Sequence, residues 1–282
     1  MRSLLFAPGA SAKMMAKALT GDADVVILDL EDSVAPDAKA AARIAVAEAL
    51  ATPRRPEQRL YVRINPLDGG WHGDDLAAVM PARPNGIMLP KPEGPQDVER
   101  LSRLLAGLEA PADAGRTRII AICSETAAGT LSLAAQSWKH PRLAGLLWGA
   151  EDLAAAIGSS GNRDAKGHYT APFQLARNLC LFAARAAGVV PIDAVYTDIR
   201  NPEGLAAEAG AARRDGFSAK AAIHPSQVAV INTAFSYTAA EIAWARRVVD
   251  VLQDGAIGAA QLDGQMVDVP HLLQARRILS NA

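Results

Sequence analysis

The feature that most constrains the fold of this chain is a repeated alternation of short apolar runs with longer amphipathic or alanine-rich stretches. Turn-forming residues bound each run. The eight runs are residues 3–6, 25–30, 60–64, 86–89, 118–123, 145–148, 194–196 and 219–223. Continuous apolar runs of this length are typical of strands that are buried on both faces of a parallel sheet. The pattern therefore predicts parallel strands joined by helices through βαβ units.

The stretches between the runs predict the helices. They cover residues 12–19, 39–50, 74–80, 95–108, 129–137, 171–187 and 202–214. From the end of one run to the end of the next the chain advances 24–48 residues, which agrees with ~250 residues spread over eight units of a (β/α)8 TIM barrel. Because no sequence repeat is present, the choice of this α/β barrel over a doubly wound sheet rests on the number of elements.

The pattern changes after Pro225, where two further helices, 239–252 and 271–280, flank a segment of small residues at 254–264 that we expect to be flexible. We therefore predict a barrel domain at residues 1–228. Residues 229–282 are predicted to form a C-terminal helical extension rather than a second domain.

Composition narrows the class of protein. The chain has 282 residues, enough for one large core, and its formal net charge of −1 argues against nucleic acid or an anionic membrane as the main partner. Its two cysteines, Cys123 and Cys180, lie in separate apolar segments, which argues against a disulfide framework and against a thiolate metal site. The first apolar run is too short for a signal peptide, and no run approaches the roughly 20 residues of a membrane span. These features predict a cytoplasmic protein.

Polar side chains follow almost every predicted strand. They are Asp29, Glu31, Asp32, Arg63, Asn65, Lys91, Ser124, Glu125, Glu151, Asp152, Asp198 and His224. One carboxylate after a strand is more often a helix cap or a loop residue. Here they follow strands two to eight, and the C-terminal ends of barrel strands meet at the face that carries the active site. We therefore predict an active site built from these residues.

The chemistry of this set indicates a metal-assisted reaction. Carboxylates without thiols suit Mg²⁺ or Mn²⁺ better than Zn²⁺, and such an ion can polarise the carbonyl of a chelating 2-oxo acid. A Schiff base at Lys91 is an alternative that two features disfavour: Lys91 follows Pro90 at a strand end beside other charges, and the carboxylates already offer a metal route. His224 has no serine or cysteine partner in the sequence, so a structural role is favoured. The polar loop 159–169 is either a lid or an exposed connection.

An ordered set of motifs resembles the citrate lyase beta-subunit-like and malyl-CoA lyase family. The motifs are RSLLFAPG at 2–9, DLEDSVAP at 29–36 with Lys39, VRIN at 62–65, MLPK at 88–91, ETA at 125–127, GAEDLA at 149–154, GF at 216–217, KAAIHPSQ at 220–227 and MVDVP at 266–270. The match covers nearly the whole chain, and the order makes it highly specific. Pro92 and Ala128 depart from the family pattern near the expected pocket, which bears on substrate identity rather than on reaction type.

The resemblance implies a TIM barrel in which Glu125 and Asp152 hold Mg²⁺. It implies that Arg63 contacts oxygens of the substrate, and that Glu31 and Asp32 orient the groups around the ion. The reaction expected from the resemblance is cleavage of a 3-hydroxyacyl-CoA, of the citramalyl-CoA or malyl-CoA type, to acetyl-CoA and a 2-oxo acid. Alternatives are a citrate lyase beta subunit that acts on an acyl-carrier thioester within a complex, a CoA-free pyruvate aldolase, and a thioesterase or synthase.

The resemblance also concerns the C-terminal extension. Asp268 matches a family carboxylate that enters the active site of a neighbouring subunit, where it would exchange a proton with the acetyl-CoA methyl group. A homotrimer, or a multiple of one, is implied. Arg2 and Lys13 are candidates for contacts with the adenine-ribose part of CoA.

Overall fold

The computed structural model describes residues 1–280. Eight parallel strands follow one another around a closed barrel, and the last pairs with the first. The strands are β1 Ser3–Pro8, β2 Val25–Asp29, β3 Arg59–Arg63, β4 Gly86–Leu89, β5 Arg118–Ile122, β6 Leu143–Leu147, β7 Val190–Asp193 and β8 Ala219–Ala222. The predicted (β/α)8 barrel is confirmed.

The barrel interior is a packed core. The buried side chains that fill it are Leu4, Val25, Ile27, Tyr61, Met88, Ile120, Ile122, Leu147, Ile192, Ala219 and Ala221. Tyr61 is almost fully buried and packs against Gly86, where an added Cβ would lie 2.6 Å from the Arg118 carbonyl oxygen. The parallel register brings the last residues of β2 and β3, Asp29 and Arg63, side by side. This register determines which polar side chains can meet at the C-terminal face.

Nine helices surround the strands or follow β8 within the described part of the barrel unit. They are α1 Ala12–Leu19, α2 Lys39–Leu50, α3 His72–Val79, α4 Pro95–Leu108, α5 Ala127–Ala135, α6 Ala150–Ala156, α7 Ala171–Ala187, α8 Pro202–Asp215 and α9 Pro225–Phe235. The bounds of α1, α2, α4 and α7 equal the predicted ones, whereas α6 and α9 were not predicted. No helix within residues 1–280 combines the length and apolarity that a membrane crossing requires.

The seventh strand lies earlier in the chain than predicted. The expected run was 194–196, but β7 is Val190–Asp193. Proline and aspartate usually mark strand ends, yet the Pro191 carbonyl accepts from Ser218 and the Asp193 carboxylate is buried with partners of its own. Asp198, the predicted polar residue at this strand end, is exposed in the following loop. Its assignment to the strand end is therefore wrong.

The chain divides into two compact units, Met1–Ala234 and Phe235–Ala282. The predicted boundary after residue 228 falls inside α9. This helix packs on the barrel because Val228 and Ile231 are buried, and Asn232 Oδ1 accepts from the Ser3 hydroxyl at 2.7 Å. The barrel unit is therefore longer than predicted.

The C-terminal unit has a small core of its own. It contains α10 Ala239–Val251, a hairpin of β9 Ala259–Leu262 and β10 Gln265–Asp268, and α11 Val269–Leu279. The expectation that 254–264 is flexible is wrong for its second half, because that half forms β9 and the turn. Asp263 and Gly264 both have positive φ, as a two-residue hairpin turn requires.

Candidate active site

A cavity of about 320 Å³ opens at the C-terminal ends of the barrel strands. Charged side chains line part of it, namely Asp29, Asp32, Arg63, Glu125, Glu151 and Asp152. Apolar side chains also line it, among them Phe6, Ile122, Leu147, Trp148, Val195 and Ile223. The cavity thus offers a small ligand both charged or metal-chelating contacts and apolar contacts.

Arg63, the last residue of β3, is held rigidly by two carboxylates. Its Nε and Nη2 donate to the two oxygens of Asp29 at 2.7 Å each, and Nη1 lies 2.7 Å from Glu31 Oε2. The Phe6 ring lies below the guanidinium at 5.0 Å. Burial alone would lower the pKa of Arg63 and raise that of Asp29, but the bidentate pair outweighs burial and shifts both pKa values the other way. Arg63 is a fixed cation at the cavity wall.

Lys91 lies at the centre of the carboxylates, directly after the buried Pro90 that follows β4. Its Nζ is 2.5 Å from Glu31 Oε1, 3.1 Å from Asp32 Oδ2 and 3.1 Å from Asp152 Oδ1. Burial alone would lower the pKa of Lys91, but these carboxylates outweigh it and raise the pKa. A Schiff base requires a neutral amine, so this environment argues against that alternative.

Glu125 follows β5 and is only 3 % exposed. Its Oε2 accepts from the Lys91 backbone N–H at 2.7 Å. Burial, followed by repulsion from Glu31 and Asp152, raises the pKa of Glu125. The neighbouring strand end makes room for this carboxylate, because a Cβ at Gly149 would lie 2.7 Å from Glu125 Cγ.

Asp152 lies in the first turn of α6, and its side chain is 32 % exposed. Together with Glu125 it borders the cavity with oxygen donors only. Within residues 1–280 no group of three or more acidic, histidine or cysteine side chains is arranged to hold a metal ion. Two carboxylates that leave the other positions to water and substrate are the usual arrangement for Mg²⁺. The residues present therefore fit such an ion.

The charges of this acidic cluster do not balance. With every group ionised it contains five carboxylates and two cations, a formal excess of three negative charges, and its members are Asp29, Glu31, Asp32, Glu125, Asp152, Arg63 and Lys91. Partly buried charges of one sign are costly unless they are paired or bind a metal. The cluster is thus suited to bind a further cation.

Five of the predicted site residues meet in this cluster: Glu31, Asp32, Arg63, Glu125 and Asp152. Asp29 and Lys91 follow predicted strands, but sequence reasoning did not identify them as the partners of Arg63 and of the carboxylates. Phe6 and Trp148 were missed as well. Their one sequence signal is an aromatic residue at the end of a predicted strand. This signal is weak, because aromatic residues at such positions also belong to hydrophobic cores.

Arg2 is not brought to the cluster. It precedes β1, so it lies at the opposite, N-terminal end of the barrel. Its guanidinium there pairs with Asp24 at 2.9 Å. The contact of Arg2 with the adenine-ribose part of CoA stays a prediction. Lys13, in contrast, is exposed in the first turn of α1, next to Met14, which lines the cavity.

Two further residues have local partners. His224 is half-buried after β8 and its Nδ1 lies 2.7 Å from the Ser226 hydroxyl, in keeping with the structural role that was favoured. Asp268, in the C-terminal unit, caps α11 and lies 2.6 Å from His271 Nδ1.

The loop 159–169 is anchored along its length. Asn162 donates to Glu151 at 2.8 Å, and Arg163 pairs with Glu208 at 2.7 Å. The guanidinium of Arg163 also stacks on Tyr169 at 3.8 Å, and Tyr169 packs edge-on against Trp148 of the cavity wall. These contacts favour a fixed connecting loop over a mobile lid.

Comparison with known proteins agrees with this geometry. The family model described as HpcH/HpaI aldolase/citrate lyase matches residues 2–225. A (3S)-malyl-CoA thioesterase of Cereibacter sphaeroides is 36 % identical over all of this chain and 94 % of its own length. A citrate lyase subunit beta-like protein of Mycobacterium tuberculosis is 40 % identical over 99 % of this chain and 94 % of its own.

A solved structure shows the same likeness in three dimensions. The protein CitE of Mycobacterium tuberculosis, in complex with magnesium, acetoacetate and coenzyme A, superposes with a TM-score of 0.81 at 38 % identity. The match covers all of this chain and 97 % of that one. Since the family model matches well over half of the chain, the protein belongs to the HpcH/HpaI aldolase/citrate lyase family.

Proposed function

We propose that this protein is a Mg²⁺-dependent carbon–carbon lyase. Its substrate would be a 3-hydroxyacyl-CoA of the citramalyl-CoA or malyl-CoA type, cleaved to acetyl-CoA and a 2-oxo acid. The observation that carries the proposal is the excess of negative charge in the acidic cluster, beside a fixed arginine and an apolar wall. The magnesium, acetoacetate and coenzyme A bound by the related CitE support it.

Glu125 and Asp152 would hold the ion, because both border the cavity and a cation there would relieve the repulsion between buried Glu125 and its neighbours Glu31 and Asp152. When bound, Mg²⁺ supplies a Lewis acid that polarises the carbonyl of the 2-oxo acid. Glu31 and Asp32 orient the groups around the ion, since both pair with Lys91.

Arg63 would bind an anionic oxygen of the substrate. Its fork is fixed by Asp29 and Glu31 before the substrate arrives, so little reorganisation is needed when negative charge develops. The oxygen belongs either to the substrate carboxylate or to the enolate of acetyl-CoA. The apolar wall around Leu147 and Trp148 would exclude water from the reacting carbons.

Asp268 of a second copy would exchange the proton with the methyl carbon of acetyl-CoA. A positioned acid–base group contributes about 10²–10⁴ in rate. His271 is its hydrogen-bond partner and would hold the carboxylate in place. Lys13, next to Met14 of the cavity lining, is a candidate for a contact with the nucleotide part of CoA. We propose a cytoplasmic homotrimer, in which each site is completed by a neighbouring chain.

Complementation tests the shared site. Glu125→Ala and Asp268→Ala should each be inactive alone, but hetero-oligomers combine an intact Glu125 with an intact Asp268. Random mixing in a cyclic ring should restore about a quarter of the sites. Activity of the co-expressed, purified mixture measures this, with its composition checked by native mass spectrometry. A dead mixture that contains hetero-oligomers contradicts a shared site.

A panel of citramalyl-, malyl- and citryl-CoA with Mg²⁺ tests the reaction itself. A lyase releases a 2-oxo acid and acetyl-CoA in equal amounts and liberates no free thiol. The absence of any 2-oxo acid from the whole panel contradicts the proposal. Activity only on an acyl-carrier thioester indicates a citrate lyase beta subunit, and activity on CoA-free acids indicates a pyruvate aldolase.

A thioesterase is the second candidate, because the Cereibacter sphaeroides relative is named a (3S)-malyl-CoA thioesterase and aligns with the whole of this chain. Such an enzyme would hydrolyse malyl-CoA to malate and free CoA. Free thiol release without any 2-oxo acid, measured in the same panel, distinguishes it from the lyase.

A further inference from the structure

Lys91 contacts four of the five carboxylates of the acidic cluster. Its ammonium reaches Glu31, Asp32 and Asp152, and its backbone N–H donates to Glu125. Glu31 and Glu125 are buried, so these contacts are poorly screened by solvent. One residue thus links the two expected metal ligands to the groups around them.

The backbone of Lys91 is in an uncommon conformation. Its φ is 50°, in the left-handed region that residues other than glycine seldom adopt. Strained backbone of this kind persists only where surrounding contacts stabilise it, and it is concentrated at functional sites. Here the left-handed conformation accompanies contacts of both the N–H and the ammonium with the same cluster, as the distances of 2.7 Å and 2.5 Å show.

We propose that Lys91 is a positioning residue that acts as the internal counter-cation of the cluster and releases Asp152 when the divalent ion binds. The inference rests on the metal site of the proposed function. Of the three carboxylates that contact the ammonium, Asp152 is the one assigned to the metal. Its side chain is more exposed than that of Glu31, and its contact of 3.1 Å with the ammonium is longer than the contact of Glu31. Asp152 is therefore the partner that can exchange the ammonium for a metal ion while Glu31 keeps it.

This arrangement has a measurable consequence for metal affinity. The ammonium keeps the carboxylates in place before the ion arrives, but it also repels a divalent ion in the same cluster. Charges of +1 and +2 about 5 Å apart repel each other enough to change binding about tenfold, even at the dielectric constant of water. Removing the ammonium should therefore tighten Mg²⁺ binding.

The experiment uses Lys91→Met, which keeps the unbranched stem, and Lys91→Gly, which also relieves the positive φ and keeps the N–H. Calorimetric titration of Mg²⁺ into metal-free protein should give about tenfold tighter binding for both variants than for the native protein. Both should melt at a lower temperature than the native protein without metal, and the gap should close at saturating Mg²⁺. The matched control is Lys139→Met, because Lys139 is exposed in the loop between α5 and β6.

The outcomes separate this inference from the proposed function. If the native protein binds no Mg²⁺, the metal site and the proposed function fail. If the native protein binds Mg²⁺ but a folded Lys91 variant binds it equally or more weakly, only this inference is overturned. In the native protein, saturating Mg²⁺ should increase acylation of Lys91 by an amine-reactive ester several-fold, as quantified by peptide mass spectrometry. Unchanged or decreased acylation overturns the inference even if neither variant folds.

Discussion

Two networks of charged side chains lie within the same barrel, and they differ in their charge balance. The acidic cluster at the ends of β2 to β5 and the start of α6 has an excess of three negative charges, as described above. The second network lies around β7 and β8 and pairs three carboxylates with three cations. Its members are Asp193, Glu208, Asp215, Arg163, Arg177 and Lys220.

The balanced network is fully satisfied. Lys220 is 0 % exposed, and its Nζ donates to Asp193 at 2.7 Å, to Glu208 at 2.9 Å and to the Ala194 carbonyl at 2.7 Å. Trp148 Nε1 donates to the other oxygen of Asp193 at 2.8 Å. Burial alone would raise the pKa of Asp193, but Lys220 and Arg177 outweigh it and lower the pKa. Such a network needs no ligand.

The comparison teaches that burial of charge alone does not identify a functional site. Both networks contain buried charges, but only the acidic cluster borders the cavity and has fewer cations than carboxylates. The balanced network instead supports the cavity wall from behind, through Trp148 and through Tyr169 on the anchored loop. We expect mutations to separate the two roles, with activity lost in one network and stability lost in the other.

The largest effect is expected at the two carboxylates assigned to the metal. Glu125→Gln and Asp152→Asn should each lower kcat about 10³-fold or more, because the ion stabilises the developing charge. Neither should unfold the protein, since each change reduces the excess of negative charge and the amide oxygen of the Glu125→Gln variant can still accept from the Lys91 N–H. Mg²⁺ titration and circular dichroism check both points. Normal Mg²⁺ affinity in both variants would refute the assignment.

The second largest effect is expected on the free energy of unfolding, for a mutation in the balanced network. Lys220→Met leaves buried Asp193 without its main cation, and breaking such a pair costs about 3–5 kcal/mol. Chemical denaturation of the variant measures this, with Lys139→Met as the exposed-lysine control, expected within about 0.5 kcal/mol of the native protein. If Lys220→Met is as stable as the control, the balanced network does not stabilise the fold. The proposed difference in role between the two networks is then wrong.

A smaller effect on catalysis is expected at Arg63. Because only a planar guanidinium can hold Asp29 bidentately and still offer an N–H to an anionic oxygen of the substrate, Arg63→Lys should lose about 10²-fold in kcat/KM, nearly as much as Arg63→Ala. Arg177→Lys in the balanced network is the matched control and should keep native kcat/KM. Steady-state kinetics on the three variants decides the matter. Near-native kcat/KM for Arg63→Lys would reduce Arg63 to a general positive charge.

The smallest effect is a pH dependence of fixed sign. A carboxylate with a lowered pKa stabilises the fold above its ordinary pKa and loses that contribution as the pH falls through the lowered value. Asp193 is such a group. The stability gap between native protein and Lys220→Met should therefore be full where Asp193 is ionised in both folded proteins. The gap should shrink as the pH falls through the pKa of Asp193 in the variant and then in the native protein, because protonated Asp193 needs no cation. Urea denaturation at several pH values measures the gap, and a gap that widens in acid contradicts this role of Asp193.

Much of the fold was predictable because its signals are local. The bounds of α4 and α7 follow from helical periodicity and flanking turn residues, and β4 was predicted with its observed bounds. The misplaced β7 shows the limit. Asp193 can lie in a buried strand only because Lys220, which is distant in sequence, neutralises it there.

The candidate site divides in the same way. Glu31, Arg63, Glu125 and Asp152 could be predicted because each follows a strand, and parallel strands bring such residues to one face. The contacts of Lys91 could not be predicted, since they depend on a left-handed backbone and on carboxylates from three other strand ends. Arg2 lies at the N-terminal end of the barrel because it precedes β1, and the motif that contains Arg2 does not by itself indicate this position.

The sequence by itself determined the alternation of strands and helices, and hence the barrel and the face at which its polar residues collect. These follow from the spacing of apolar residues along the chain. Only the tertiary structure decided which charges pair and which are left in excess. Electrostatic energies depend on distance and burial, and both are set by residues far apart in the sequence, such as Lys91 beside Asp152 and Lys220 beside Asp193.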